Sequence, residues 1–321
     1  MMEDLGHGDP LLRDIRCDQR VVLPVLGLPT SFESNSAALL QLVEQAFAGW
    51  RAVEGLTTTR DPLRVRILVF EGPEHGPQPP AIRHLAPDAT RMILQSAGSI
   101  AVSDPHRREV VGYVTTALLA ERELFRTAFL EAATLALLSH FDRHPIHAAC
   151  IARNGRAVLL AGASGAGKST LAHLADTAGY DVLGEDHVWI QIEPPSQVWG
   201  WPGYARLLNG ESGKPEEQIP RSARDDKRIS PLRGRDRVSC YAAEAPTVCV
   251  LDRGPRAALD RVDAPTIVSA LTRDVAPGFD RFPERNVAVA IALSARGGWR
   301  LTLTTNPNDA LPLLDEMLNA S

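Results

Sequence analysis

The stretch Gly162-Ala163-Ser164-Gly165-Ala166-Gly167-Lys168-Ser169-Thr170 constrains this chain more than any other. It has the G-x-x-x-x-G-K-[ST] spacing of a loop that cradles phosphates. The apolar run Ala157-Val158-Leu159-Leu160-Ala161 leads in and reads as a buried strand. Leu171-Ala172-His173-Leu174-Ala175 leads out and reads as the first turns of a helix. Three glycines let the backbone wrap a phosphate with successive N–H groups pointing inward, and the helix N-terminus adds partial positive charge. In such a loop Lys168 reaches the β- and γ-phosphates and the Ser169 hydroxyl ligates Mg²⁺. A glycine-rich turn before an ordinary helix is the bland alternative, and the complete pattern with both flanks disfavours it. A nucleoside triphosphate site over residues 162–170 is the firmest expectation.

At 321 residues the chain is long enough for one large or two modest domains. A net charge of −5 and a pI near 6.0 give no electrostatic case for nucleic acid or an anionic membrane. The N-terminus, Met1-Met2-Glu3-Asp4, is acidic and polar rather than a signal peptide, and no apolar run approaches the ~20 residues of a spanning helix. Cys17, Cys150, Cys240 and Cys249 lack C-x-x-C spacing, which favours reduced thiols in a cytoplasmic protein over a disulfide framework or zinc site.

Along the chain, residues 20–28 have strand character broken by Pro24, and residues 30–35 read as a polar turn. Asn35 or Ser36 is placed to cap a helix over residues 37–50. Residues 64–70, 92–102 and 108–115 read as strands, so an N-terminal α+β domain is expected over residues 1–120. Residues 118–141 form the strongest predicted helix and open a second domain over residues 121–321. Asn154-Gly155 signals a tight hairpin that delivers the chain into the phosphate loop and sets His147 on an adjacent strand. Residues 209–237 read as a long charged surface loop.

Phosphoryl transfer needs phosphates held, a metal held, and a nucleophile oriented or deprotonated. Two carboxylate sources compete for the second and third tasks. Asp252 ends the apolar strand Thr247-Val248-Cys249-Val250-Leu251, as a carboxylate that holds Mg²⁺ through water does. Glu185-Asp186 follows a short strand after the loop helix; one carboxylate can ligate Mg²⁺ while the other takes a proton from an attacking hydroxyl. Such a doublet is also common as plain surface charge, and a histidine on an apolar strand, such as His147, is often a hydrogen-bonded core residue. His173, Trp199 and Trp201 read as structural, and the mixed-charge segment Arg221, Arg224, Asp225, Asp226, Lys227, Arg228 as a solvated loop. Neither N-K-x-D nor L-S-G-G-Q is present, which weakens GTPase and transporter readings.

The run from His147 through Lys168, continued by Ala178-Gly179-Tyr180-Asp181-Val182-Leu183-Gly184-Glu185-Asp186-His187-Val188, resembles the catalytic domain of HPr kinase/phosphorylase and its relatives. The resemblance covers about residues 120–192 well. It implies a P-loop kinase domain of the HPr kinase and phosphoenolpyruvate carboxykinase-like type, using ATP and Mg²⁺ to phosphorylate a serine hydroxyl on a protein or peptide. Carried over by position, Lys168 contacts phosphates, Ser169 holds Mg²⁺, Glu185 is the general base, Asp186 assists at the metal, and His147 supports the acid. The family's first acid is usually aspartate, so Glu185 is one methylene longer. Its L-E-I-R-G-L-G signature is absent; Gly203-Tyr204-Ala205-Arg206-Leu207-Leu208 sits near that place, with Arg206 standing in for its arginine. These departures fit the divergent branch that includes kinases of the C-terminal serine of lasso-peptide precursors. The family forms hexamers, which implies a homo-oligomer here.

The expectation is therefore an α/β, cytoplasmic, ATP-dependent serine kinase, with no nucleic-acid or membrane partner. A kinase of a small hydroxylated molecule is a variant. A nucleotide-binding regulatory or scaffold protein without phosphoryl transfer is the alternative from another class.

Overall fold

The structure, a computed structural model, describes residues 16–52, 61–72, 80–88, 90–96, 98–194, 196–200, 242–273 and 283–319. It is mixed α/β, and the chain divides into two compact units, Met1–Phe141 and Asp142–Ser321. No helix among the described residues is long and apolar enough to cross a membrane.

The described strands of the first unit form one sheet in the order β1-β2-β3-β7-β6-β5-β4. β1 (Gln19–Val25) and β2 (Leu28–Ser34) make an antiparallel hairpin closed by Leu26 and Gly27, both at positive φ. The turn therefore lies after Pro24, and residues expected to be a polar turn are a strand. Pro24 is tolerated because β1 is an edge strand, where a missing N–H leaves no ladder gap inside the sheet. Along β2, the Thr30 hydroxyl donates to the Leu28 carbonyl and the Ser34 hydroxyl accepts from Ser36 N–H, so buried polar side chains find partners close by.

α1 (Ala37–Phe47) begins at Ser36, whose hydroxyl accepts the Leu39 N–H, and crosses to β3 (Leu63–Phe70), which runs parallel to β2. Asn35 instead ties this crossover to β3, exchanging two 2.8 Å hydrogen bonds with the Val69 backbone. β4 (Arg83–Leu85), β5 (Met92–Ser96), β6 (Ser99–Asp104) and β7 (Glu109–Thr115) complete the sheet. The helix expected over residues 118–141 is broken at Glu121 into α2 (Thr116–Ala120) and α3 (Arg122–Leu124), which runs through a π-helical stretch (Phe125–Glu131) into α4 (Ala132–Leu138). These helices pack on β5, β6 and β7, so they belong to the first unit rather than opening the second at residue 121.

In the second unit, β8 (His144–His147) and β9 (Ala149–Arg153) are separated by Ala148 alone, and β11 (Asp181–Gly184) and β12 (His187–Gln191) by Glu185-Asp186. Between them lie β10 (Arg156–Ala161) and α5 (Lys168–Thr177). β13 (Gln197–Trp199) and β14 (Ala242–Arg253) follow, and the strand order is β11-β9-β10-β14-β13-β12-β8. β9 pairs with β11 and β8 with β12, so these four strands are one antiparallel ribbon, interrupted at Ala148 and Glu185-Asp186, whose halves lie at opposite ends of the strand order. The sheet path consequently folds back on itself, and the interruption becomes a corner.

β15 (Ala258–Val262) and β16 (Gly298–Leu303) extend the sheet along the C-terminal half of β14. The period of two along β10 sends Ala157, Leu159 and Ala161 to one core with α6 (Ala264–Thr272) and α7 (Pro283–Ser294). Val158 and Leu160 join the other core, with α5 and α8 (Leu311–Asn319). β10 and the start of α5 are thus held on both sides, which fixes the loop between them.

Tyr180, following α5, is buried and donates its hydroxyl to Asp315 on α8 at 2.6 Å, while Arg153 donates to the same carboxylate oxygen and stacks over the Tyr180 ring. Tyr180→Phe should lower the unfolding free energy by about 1 kcal/mol, since it removes one charge-assisted hydrogen bond and little volume. Urea titration checks this; an unchanged midpoint would show the bond is worth no more than its hydration.

Candidate active site

The Asn154-Gly155 hairpin forms as expected, with both residues at positive φ (53° and 77°) as a two-residue turn requires, and it returns β9 into β10. β10 ends at Ala161, and residues 162–167 turn the chain into α5, which starts at Lys168. Gly162, Gly165 and Gly167 all have positive φ. Ala163, Ser164 and Gly165 are exposed at the crest, as are Ser169 and Thr170 on the first turn of α5, so loop backbone and both hydroxyls are accessible to a ligand. Lys168 is buried and its ammonium donates to the carbonyls of Gly162 (2.7 Å) and Ala163 (3.4 Å), across the mouth of the loop. Ala166 N–H closes a turn on the Ala163 carbonyl.

The acidic doublet sits at the corner between β11 and β12. Its two members have different surroundings. Glu185 is mostly buried near Asp176 of α5 and Asp186; burial first, then the two like charges, push its carboxyl up to about 7. That is the range in which a carboxylate can take a proton and give it back near neutral pH. Asp186 is half-exposed and lies against two imidazoles. Its Oδ1 lies 3.4 Å from His147 Nδ1 and its Oδ2 lies 3.2 Å from His187 Nδ1.

His147 is not on the hairpin strand beside β10, as the sequence suggested. It ends β8, one residue before β9, and pairs across the ribbon with His187 of β12. The sharp bend at Ala148 is what moves it, because the strand changes neighbours there. His147 Nδ1 and His187 Nε2 are 3.3 Å apart. Of the acidic doublet, Asp186 is the member that His147 approaches. Burial holds His187 well below the usual histidine range, opposed by Asp186 and reinforced by His147 and the Lys168 ammonium. β9 pairs with both β10 and β11, so the corner and the glycine loop lie at the same edge of the sheet.

Two residues that sequence reasoning left without a role adjoin the site. His187 directly follows the acidic doublet, and that adjacency was the available signal. Arg253 ends β14, which runs parallel beside β10. A Cβ built on Gly167 would stand 3.1 Å from Arg253 Nη2. The guanidinium therefore lies against the last residue of the loop, a position that only the β10–β14 register reveals. Asp252, the competing metal carboxylate, is exposed and accepts the Arg253 N–H at 2.8 Å. Arg206, the 209–237 segment, Trp201 and Cys240 lie outside the described residues. Among the described residues Cys17, Cys150 and Cys249 form no disulfide.

The arrangement can hold an anion at the head of α5 and present, beside it, a carboxyl that titrates near neutrality and an Asp–His–His group. No family model and no curated protein matches the chain, so its chemistry is read from this geometry and from the motif residues themselves.

Proposed function

We propose that the second unit is a P-loop kinase domain of the HPr kinase and phosphoenolpyruvate carboxykinase-like type, which transfers the γ-phosphate of ATP to a serine hydroxyl of a peptide or protein. A lasso-peptide precursor is one such acceptor class, and a small hydroxylated molecule is the variant substrate. The observation that carries this reading is the joining of two sequence-distant features at one place. β10 and β11 flank β9 and run in the same direction, so the glycine loop after Ala161 and Glu185-Asp186 after Gly184 leave the sheet at the same edge.

In this reading the loop N–H groups and Lys168 hold the β- and γ-phosphates, and Ser169 with Asp186 provides oxygen ligands for Mg²⁺, which neutralises phosphate charge when bound. Glu185 accepts the proton of the attacking serine hydroxyl as the new O–P bond forms and the bond to ADP breaks. The raised Glu185 affinity for protons suits that role, since the carboxylate is basic enough to receive a proton yet ionised in part at neutral pH. Arg253, against Gly167, adds a positive charge at the loop's end.

The test is label transfer. The protein is incubated with Mg²⁺, γ-labelled ATP and a peptide and protein extract of the source cell, with Lys168→Ala in parallel, and labelled species are located by mass spectrometry. Label on serine that falls at least about 100-fold in Lys168→Ala supports the kinase and names its acceptor. Label confined to small molecules keeps the mechanism and replaces the acceptor. Tight ATP binding with no label above the Lys168→Ala background would overturn transfer in favour of a nucleotide-binding regulatory protein.

A further inference from the structure

α7 is apolar on both sides. Its inner residues Val289, Ala290 and Leu293 are buried in a core shared with α6 and the sheet. Its outer side is Glu284, Val287, Ala288, Ile291 and Ala292, with Ala295 just past its end, and all six are exposed. Among the described residues the large exposed hydrophobic side chains are Val22, Leu85, Val287 and Ile291. Val22 and Leu85 sit singly on the two edge strands of the first sheet, whereas Val287 (41% exposed) and Ile291 (57%) stand one turn apart on α7. Single exposed apolar residues are ordinary, but a continuous apolar helix face marks a contact. We infer that α7 is the centre of a two-fold interface with a second copy of this chain, the two helices antiparallel and the axis at Ile291, a contact that stands apart from the kinase reading.

Charge complementarity selects the occupant. The two ends of the face carry opposite charges, Glu284 in the first turn of α7 and Arg296 just beyond its last. With the axis at Ile291, antiparallel pairing brings each Glu284 within about two residues of the partner's Arg296, roughly 3 Å along the helix and inside the reach of both side chains. A parallel pair would instead set acid against acid and base against base. In an isolated chain these charges complement only the dipole of their own helix, which leaves the apolar face between them unused. A face that is its own complement satisfies both ends with one set of residues, as an isologous contact requires. A lipid surface fits less well, since the chain carries a net charge of −5 and neither Lys nor Arg lies on the face between its two ends.

Side-chain sizes suit the same pairing. At the axis Ile291 packs beside the partner's Ile291, and Val287 lies across from the partner's Ala295, large against small. The alanines at 288 and 292 flank the centre, so the two helix axes can approach to about 8 Å. Ile291 sits on the axis and therefore counts twice in each pair, which makes it the residue whose loss costs most. One helix pair is at the small end of stable interfaces, and dissociation is expected in the micromolar range.

Sedimentation equilibrium of the full chain over a micromolar concentration series is the test, with melting curves on each variant at the lowest concentration. Wild type is expected to associate reversibly. Ile291→Asp should raise the Kd of association by about 100-fold or more and leave the melting curve of the single chain unchanged, because that side chain is exposed. Glu284→Arg and Arg296→Glu should each raise Kd by about 10-fold, and the double variant should return it to within a few-fold of wild type. An assembly of more than two copies that falls to half its size in Ile291→Asp supports the same face. A wild type that is monomeric at every concentration, an assembly unmoved by Ile291→Asp, or charge reversals whose effects add rather than cancel would overturn the interface. So would a monomer whose melting temperature falls in Ile291→Asp, because the face would then be covered by its own chain.

Discussion

Glu185→Gln is expected to lower phosphoryl transfer by about 10²–10⁴-fold while leaving ATP affinity within a few-fold of wild type. The substitution keeps shape and hydrogen-bonding capacity but removes the only function assigned to this carboxyl, which is to receive the serine proton. Initial rates and ATP dissociation constants measured together decide the matter, and a variant with full activity would remove Glu185 from the mechanism.

The same variant has a second signature, read in chelator so that no cation alters the corner. Glu185 is raised from 4.5 to about 7 in the folded chain because ionisation there is opposed by burial and by Asp176 and Asp186. The folded state holds the extra proton between those values, so the group's stabilising effect is full below about pH 4.5 and is lost as pH rises through about 7. Glutamine mimics the protonated form at every pH. The variant should therefore match wild-type stability near pH 4.5 and exceed it by roughly 1–3 kcal/mol at pH 8. Melting curves across that range test the assignment; a difference independent of pH would mean that Glu185 ionises freely. A residue whose loss stabilises the fold is what a functional compromise at Glu185 predicts.

Gly167→Ala should reduce nucleotide affinity by at least about 100-fold, the second large effect, through the shape of the loop rather than its charge. Gly167 has φ +110°, where a side chain strains the backbone, and an added Cβ would stand 2.9 Å from Leu303 Cδ1 and 3.1 Å from Arg253 Nη2. Leu303 is buried on β16, so relief requires the loop to move outward. That movement would misalign the N–H groups at the head of α5. Gly155→Ala is the control. It too has positive φ (+77°), but nothing lies within 4 Å of its added Cβ and it lies at the opposite end of β10 from the loop. Its cost should appear in stability and not in nucleotide affinity. Equal losses of affinity in both variants would show that general destabilisation, not loop geometry, is responsible.

Several parts of this protein were legible from local sequence because local forces decide them. The order strand, glycine loop, helix from Ala157 to Ala175 follows from an apolar run, three glycines and helical periodicity within twenty residues. The Asn154-Gly155 hairpin follows from two residues that accept positive φ. Ser36 capping α1 follows from side-chain chemistry next to an apolar helical pattern. Each is a contest between a few neighbouring residues, and the tertiary environment leaves the outcome alone.

Other parts were settled only by packing. Residues 30–34 are polar apart from Phe32, yet they form a strand because β3 pairs with them and nearby backbone groups satisfy the Thr30 and Ser34 hydroxyls. The helical stretch after residue 115 joins the first sheet because its apolar face is buried there, a matter of which surface it meets and not of its own periodicity. His147 was expected beside β10, but the bend at Ala148 hands it to β12, opposite His187. No spacing rule places residues 147, 186 and 187 within 4.8 Å, or brings Arg253 against Gly167. The sequence by itself determined the chemistry available: a glycine-rich loop with a lysine and two hydroxyls, an acidic doublet, a histidine before the hairpin. The folded sheet decided which of those groups meet, since its path turns back at the corner between β11 and β12 and sets the second imidazole beside the first.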